Sequence, residues 1–340
     1  MTTSNPASKP TNAAPNSATA AAPIIDDHAL LASNYASVES RFGWDFLLGG
    51  NRHFGYYASD TWWPLPFAAA QRRMEEQLFN TLSAQPGARV LDAGCGDGHV
   101  ALFMAARGGL RVTAFDVLER HVANARRNVA RAVAAQKLGD EHDGGSGGKG
   151  TVTVEHLDFA HLGTLPAASF AAVYTSEALL HATDPAAVMG EFWRVLEPGG
   201  RLVMHEFHHD FADQAVSPGY TREINKTVVE VPRIVAAGQA KTKRGQDGVV
   251  LAFDRLEAYF TKILDAAGYE NVEIRNYSDN IQPMLRFLSV FGMTRHVVRL
   301  LRLQKLFPNA AASTEGYVGQ EHWAYASISA MKPDPKNRRR

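Results

Sequence analysis

The run Val90-Leu91-Asp92-Ala93-Gly94-Cys95-Gly96-Asp97-Gly98-His99 limits the fold more than any other stretch of the chain. An apolar strand ends in an acid, a turn with glycine at every second position follows, and a helix begins beyond it. Glycine has no side chain and tolerates positive φ, so such a turn lets a small ligand touch bare backbone. The dinucleotide fingerprint G-x-G-x-x-G would need glycine at position 99, where His99 stands. No Lys-Ser/Thr pair follows the glycines, which excludes a phosphate-cradling P-loop.

Strand and helix patterns alternate around this turn. Strands are predicted at Arg89–Ala93, Arg111–Asp116, Val152–His156, Phe170–Thr175, Arg201–Phe207 and Val272–Tyr277, with His322–Ala330 closing the sheet. Helices are predicted at Gln71–Ser83, Val100–Arg107, Glu119–Gln136, Pro185–Leu196 and Asp254–Ala267, with Pro198-Gly199-Gly200 breaking the helix before it. This alternation argues for an α/β fold, a Rossmann-like, doubly wound, mostly parallel seven-stranded sheet with helical lid additions at both ends of the chain. Residues 1–23, rich in Ala, Ser, Thr, Asn and Pro, are expected to be a disordered tail. Residues 24–83 read as a helical lead-in that caps the ligand site, 84–335 as the ligand-binding domain, and 336–340 as a solvated basic tail. Gly144–Gly150 reads as a surface loop. Segments at about 210–250 and 281–310 break the rhythm and are read as lid insertions. The second has an amphipathic helical pattern with arginines at 286, 295, 299 and 302, suited to cap an apolar substrate, rest on a membrane surface or pack on the domain.

Composition narrows the partners. Lys plus Arg equals Asp plus Glu at 35 each, which leaves no electrostatic footprint for nucleic acid. The one cysteine, Cys95, excludes an internal disulfide and a cysteine-rich metal site. No apolar run reaches the roughly 18 residues of a membrane span, so no integral membrane segment is expected. No secretory signal pattern is visible, and a cytoplasmic location is the default expectation. The oligomeric state stays open.

Open α/β sheets bind ligands at the carboxyl ends of their strands. The first strand ends with Asp92 and the glycines. The second ends with Asp116, followed by Val117, and its two acceptor oxygens suit both hydroxyls of a ribose. The third leads to Asp158 beside Phe159, an acid for an adenine amine and an aromatic ring for its face. With these acids, Asp92-x-Gly94-x-Gly96-x-Gly98 resembles motif I of class I S-adenosylmethionine (SAM) methyltransferases. The resemblance implies SAM as cofactor, with Asp92 facing its ammonium and the turn amides its carboxylate. HFGYY (His53 to Tyr57), SEALLH and RVLEPGG are similar to segments of the sterol C-methyltransferases, the tocopherol methyltransferases and the natural-product O- and N-methyltransferases, over about Tyr35 to Gly268. By that resemblance Tyr56 and Tyr57 lie over the methionyl end of the cofactor, and Glu177 and His181 line the cleft near the methyl group. The His-His-Asp end of the fifth strand, the basic C-terminal segment and a loosely matched lead-in depart from the sterol pattern.

Methyl transfer is an in-line displacement with a neutral thioether leaving group, so alignment supplies most of the acceleration, up to about 7–11 kcal/mol. A phenol or N-hydroxyl acceptor also needs a base. His209 and His208 are the first candidates, then His181. His205 and His208 have H-x-x-H spacing, but strand alternation sends their rings to opposite faces, so no metal is expected. Trp44, Trp62 and Trp63 are placed either to pack an aromatic substrate or to pin the lead-in. The fourth strand continues as Thr175-Ser176-Glu177-Ala178, not as the Asn/Asp-Pro-Pro-Tyr/Phe of nucleic-acid and protein methyltransferases. The expected function is methyl transfer from SAM to an O or N atom of a largely apolar small molecule in specialised metabolism. The alternatives are a sterol or isoprenoid C-methyltransferase and a non-catalytic SAM-binding protein.

Overall fold

The computed structural model describes residues 25, 28, 31–32, 35, 48–58, 60–139, 149–209, 246–292 and 323–336, without the side chains of 209, 246–251 and 289–292. The expectations for residues 1–23, Trp44, most of the 144–150 loop, most of the 210–250 insertion, 293–310 and the last four residues lie outside that set. The elements in chain order are α1 (Phe67–Leu82), β1 (Arg89–Ala93), α2 (His99–Gly108), β2 (Arg111–Asp116), α3 (Glu119–Ala134), β3 (Thr151–His156), β4 (Phe170–Ser176), α4 (Pro185–Val195), β5 (Leu196–His209), α5 (Gln246–Ala267), β6 (Glu270–Asn276), α6 (Ser278–Gly292) and β7 (Trp323–Met331).

The strands form one sheet of seven in the order β3-β2-β1-β4-β5-β7-β6. Its first five members run parallel, and β7 runs antiparallel to β5 and β6. Strand order reverses between β1 and β4, and the crevice at such a switch point holds the ligand in open α/β sheets. Both faces are covered, which explains the near-continuous apolar runs of the inner strands. Val90, Val112, Tyr174 and Val203 point to the layer of α1, α2 and α3, where Leu78, Met104 and Ala125 meet them. Leu91, Phe115, Val173, Leu202 and Met204 point to the opposite layer, against Phe192 of α4 and Leu256, Phe260 and Leu264 of α5.

Local signals fix the ends of several elements. The Asp184 carboxylate accepts from the Ala187 amide at 3.0 Å and Pro185 occupies the first turn, so α4 starts there. It stops at Val195, because Leu196 already pairs with Phe170. Pro198-Gly199-Gly200 therefore lies inside β5 and not in a break before it. A register shift between Phe170 and Ala172 absorbs the extra residues. The Lys332 ammonium donates to the carbonyls of Trp193 and Leu196, each at 2.8 Å, and closes this corner.

Trp62 and Trp63 are 78% and 62% exposed. The Arg286 guanidinium lies 4.7 Å from the Trp62 ring and donates to the Trp62 carbonyl at 2.7 Å, while Trp63 meets Phe287 edge-on at 5.8 Å. These contacts join the lead-in to α6. No helix among the described residues is long and apolar enough to cross a membrane.

Candidate cofactor and active site

A cavity of about 910 Å³, its open mouth included, lies where β1, β2, β3 and β4 end. Asp92, Gly94, Gly96, Asp116, Val117, Asp158, Phe159, Glu177 and His181 all line it. The structure thus brings together residues that are 89 positions apart in the chain, from Asp92 to His181.

The glycine turn adopts left-handed backbone, with φ of 86° at Gly94, 54° at Gly96 and 83° at Gly98. At Gly94 space is also decisive: a Cβ there would stand 2.4 Å from the Cβ of Ala178. The turn after β4 is therefore seated directly on the turn after β1. Gly98 does not line the cavity and starts α2 against Ala125. Four amides of the turn have partners within the protein. The Gly94 and Cys95 amides donate to the Phe115 carbonyl at 3.0 and 2.8 Å, Gly96 to the Asp116 carboxylate at 2.9 Å, and Gly98 to the Cys95 carbonyl at 2.9 Å. They anchor the turn to β2 and to itself. The cation beside the turn is Arg52, a residue that sequence patterning did not single out. Its guanidinium lies 3.4 Å from Asp97 and 5.2 Å from the ring centre of Tyr35, and it lines the cavity.

The three acids differ in electrostatics. Burial pushes the Asp92 carboxyl up to about 7, against a hydrogen bond from the Tyr174 hydroxyl at 2.9 Å that favours the ionised form. A cation beside Asp92 would restore its charge. Burial also opposes ionisation of Asp116, but the His121 contact at 3.2 Å and the amides of Leu118 and Gly96 outweigh it and hold that carboxyl below its ordinary value. Asp158 accepts from the Ala160 amide at 2.9 Å and meets the His28 ring at 3.0 Å. His28 and Tyr35 come from the N-terminal lead-in and both line the cavity.

Glu177 is the strained residue of the site, a non-glycine at φ 54°. Its Oε1 accepts from the Phe54 amide at 2.7 Å and from the Tyr325 hydroxyl at 2.9 Å. Burial pushes its carboxyl up to about 7, against those two donors and the nearby His53. The Glu206 side chain on β5 holds the turn that presents Glu177. One oxygen accepts from the Ala178 amide at 3.1 Å, the Leu179 amide at 3.0 Å and the Thr175 hydroxyl at 3.2 Å. His181 lies 3.3 Å from the Tyr35 hydroxyl, and burial pushes its imidazole down to about 4.

Three expected site residues have their side chains elsewhere. The Tyr57 hydroxyl donates to the Pro64 carbonyl at 3.0 Å, and its ring is buried with Phe67 and Met284. Tyr56 packs edge-on against Tyr277 at 5.0 Å. Neither tyrosine lines the cavity, because the HFGYY segment turns His53 toward it and the tyrosines toward α1 and α6. His208 does not line it either: its ring stacks on Tyr259 of α5 at 4.3 Å, on the face opposite to His205, which packs against Tyr277. The backbone of His209 pairs with Trp323 at the end of β5, and its side chain lies outside the described set.

Comparison with known proteins identifies the family. Residues 91–204 match the model of the methyltransferase domain family. The chain is 34% identical over 302 residues to an S-adenosyl-L-methionine-dependent Diels-Alderase of Talaromyces variabilis, covering 88% of this chain and 93% of that protein. It is 34% identical over 255 residues to a second such Diels-Alderase, from a Neonectria species, covering 75% of this chain and 88% of that one. In fold it is similar to the crystal structure of the [4+2]-cyclase SpnF, with a TM-score of 0.61, 21% identity and coverage of 92% of this chain and 100% of that one. The chain belongs to the S-adenosylmethionine-dependent methyltransferase family, as an enzyme with SAM as its cofactor.

Proposed function

We propose that this enzyme uses bound SAM as a structural and electrostatic cofactor and closes a carbocycle by [4+2] cycloaddition in natural-product biosynthesis. The observation that carries the reading is the extent of the likeness. The methyltransferase model spans residues 91–204, which is the cofactor-binding core. The likeness to the Talaromyces Diels-Alderase spans 302 residues and so includes the substrate-side segments as well. A cycloaddition also needs no base and no leaving group. That suits a cavity in which His208 has no place and His181, held down to about 4, is a weak base. In this reading Asp92 meets the cofactor ammonium, Arg52 its carboxylate, Asp116 the ribose and Asp158 with Phe159 the adenine.

The test is incubation of the protein and SAM with a linear polyene that carries a conjugated diene and a tethered alkene. Cycloaddition gives a product isomeric with the substrate, and SAM is not consumed. Methyl transfer gives a product heavier by one CH₂ and one S-adenosylhomocysteine per turnover. Methylation of an O or N atom on an apolar small molecule is the second reading, favoured by the complete set of cofactor acids around the cavity. Consumption of SAM in step with product would establish it and refute the first.

A further inference from the structure

Among the described residues, Glu177 is the one carboxyl at the cavity that combines two fixed donors on one oxygen with an uncommitted second oxygen. Phe54 and Tyr325 both bond to Oε1. Oε2 has no protein partner among the described residues, and the side chain lines the cavity. The residue is held in left-handed backbone by a clamped turn: its amide donates to the His205 carbonyl at 2.9 Å, and Glu206 grips the next two amides. Strain of that kind persists only where the surroundings impose it, and it fixes the direction of the side chain.

We infer that Glu177 acts as a neutral carboxylic acid whose Oε2–H donates a hydrogen bond to a substrate carbonyl, so that the substrate class is a polyene whose reacting alkene is conjugated to that carbonyl. The inference rests on the cycloaddition reading. In the reaction the three π bonds of the diene and the alkene become two new carbon–carbon σ bonds and one new π bond between the inner diene carbons, and no atom, electron pair or proton leaves. A donor on the carbonyl lowers the acceptor orbital of the alkene, which speeds the addition without entering the stoichiometry. The acid returns its proton to no one and needs no base. This matches a group whose other oxygen is already loaded with donors and whose proton must therefore sit on Oε2.

The groups that face Glu177 set its proton occupancy. His53 from the lead-in and Tyr325 from β7 favour the carboxylate, while burial opposes it and brings the carboxyl to about 7. Glu206 on β5 and Tyr35 from the N-terminal lead-in are themselves pushed up in part by the charge of Glu177. His181, in the same turn, is held neutral by burial.

The experiment uses the SAM-loaded protein and a linear probe, a conjugated diene tethered to an α,β-unsaturated amide. Ring closure by the wild type should fall as pH rises through about 7, since the active form is the protonated one. Glu177→Leu should lose about 10-fold, the effect of one hydrogen bond, while still binding SAM. Glu177→Gln keeps an N–H donor in place of Oε2–H. It should retain a rate between wild type and Glu177→Leu and lose the decline with pH. Tyr325→Phe removes a donor to the carboxylate, so the decline should move to higher pH. That variant keeps the test open should Glu177→Leu not fold. Ring closure that Glu177→Leu leaves intact, or that rises with pH, overturns the role of Glu177 alone. No acceleration by the SAM-loaded wild type overturns the cycloaddition reading itself.

Discussion

Replacing Gly94 with alanine tests the contact that joins the two halves of the site. Gly94 sits at φ 86°, and a side-chain residue held in left-handed backbone costs about 1–2 kcal/mol. The added Cβ would lie 2.4 Å from the Cβ of Ala178, well inside the ~3.5–4.0 Å of ordinary carbon contact. Overpacking of this kind costs about 1–3 kcal/mol. The two terms come to about 2–5 kcal/mol, which, if it falls on the cofactor site, weakens SAM about 30-fold to several thousand-fold. The strain is shared between cavity and fold, so calorimetric titration with SAM is paired with thermal unfolding. The double variant Gly94→Ala with Ala178→Gly removes the clash and keeps the φ strain, so it should recover about 1–3 kcal/mol of the loss. Wild-type SAM affinity together with an unchanged melting temperature in Gly94→Ala would refute the argument. So would a double variant no better than the single one, because the clash with Ala178 would then play no part.

Two other substitutions separate positioning from bulk. Glu206→Ala leaves the Ala178 and Leu179 amides and the Thr175 hydroxyl without their acceptor, at about 1–3 kcal/mol for each buried unsatisfied group. Stability in urea and SAM affinity should both fall, whereas Glu206→Gln keeps a carbonyl acceptor and should stay near wild type; equal damage in both variants would show that capping is not its role. His205 is fully buried, neither ring nitrogen has a hydrogen-bond partner among the described residues, and burial pushes it down to about 3 from 6.5. The unfolded chain therefore takes up a proton below pH 6.5 that the folded state refuses, so the contribution of His205 to stability is full above that pH and is lost as pH falls toward 3. His205→Leu should accordingly gain stability relative to wild type by up to about 1.4 kcal/mol per pH unit below that point. Urea unfolding at pH 7, 6 and 5 measures the difference, and a difference constant with pH would contradict the reading.

The three acids at the cavity were legible because each is a local feature, an acid at the end of an apolar strand, and the sheet topology then brings strand ends together. Asp92, Asp116 and Asp158 needed no knowledge of long-range contacts. The clamp on Glu177 did, since Tyr325 is 148 positions away and reaches it only because β7 inserts between β5 and β6. No periodicity in the chain encodes that insertion. Glu206 was hidden for a related reason: among His205, Glu206, His208 and His209 it reads as one more polar residue at a strand end.

The histidines on β5 show where such reading stops. Strand alternation correctly separates His205 from His208, since residues an odd number apart point to opposite faces. It does not tell which layer covers each face. His208 shares its face with Met204 and Glu206, and α5 closes that face with Tyr259 stacked at 4.3 Å and Phe260 at 6.2 Å. His205 points to the other face, where Tyr277 covers it at 5.6 Å and leaves it fully buried. Aromatic rings thus cover both faces of β5 at these positions, whereas Glu177, at the neighbouring strand end, lines the cavity.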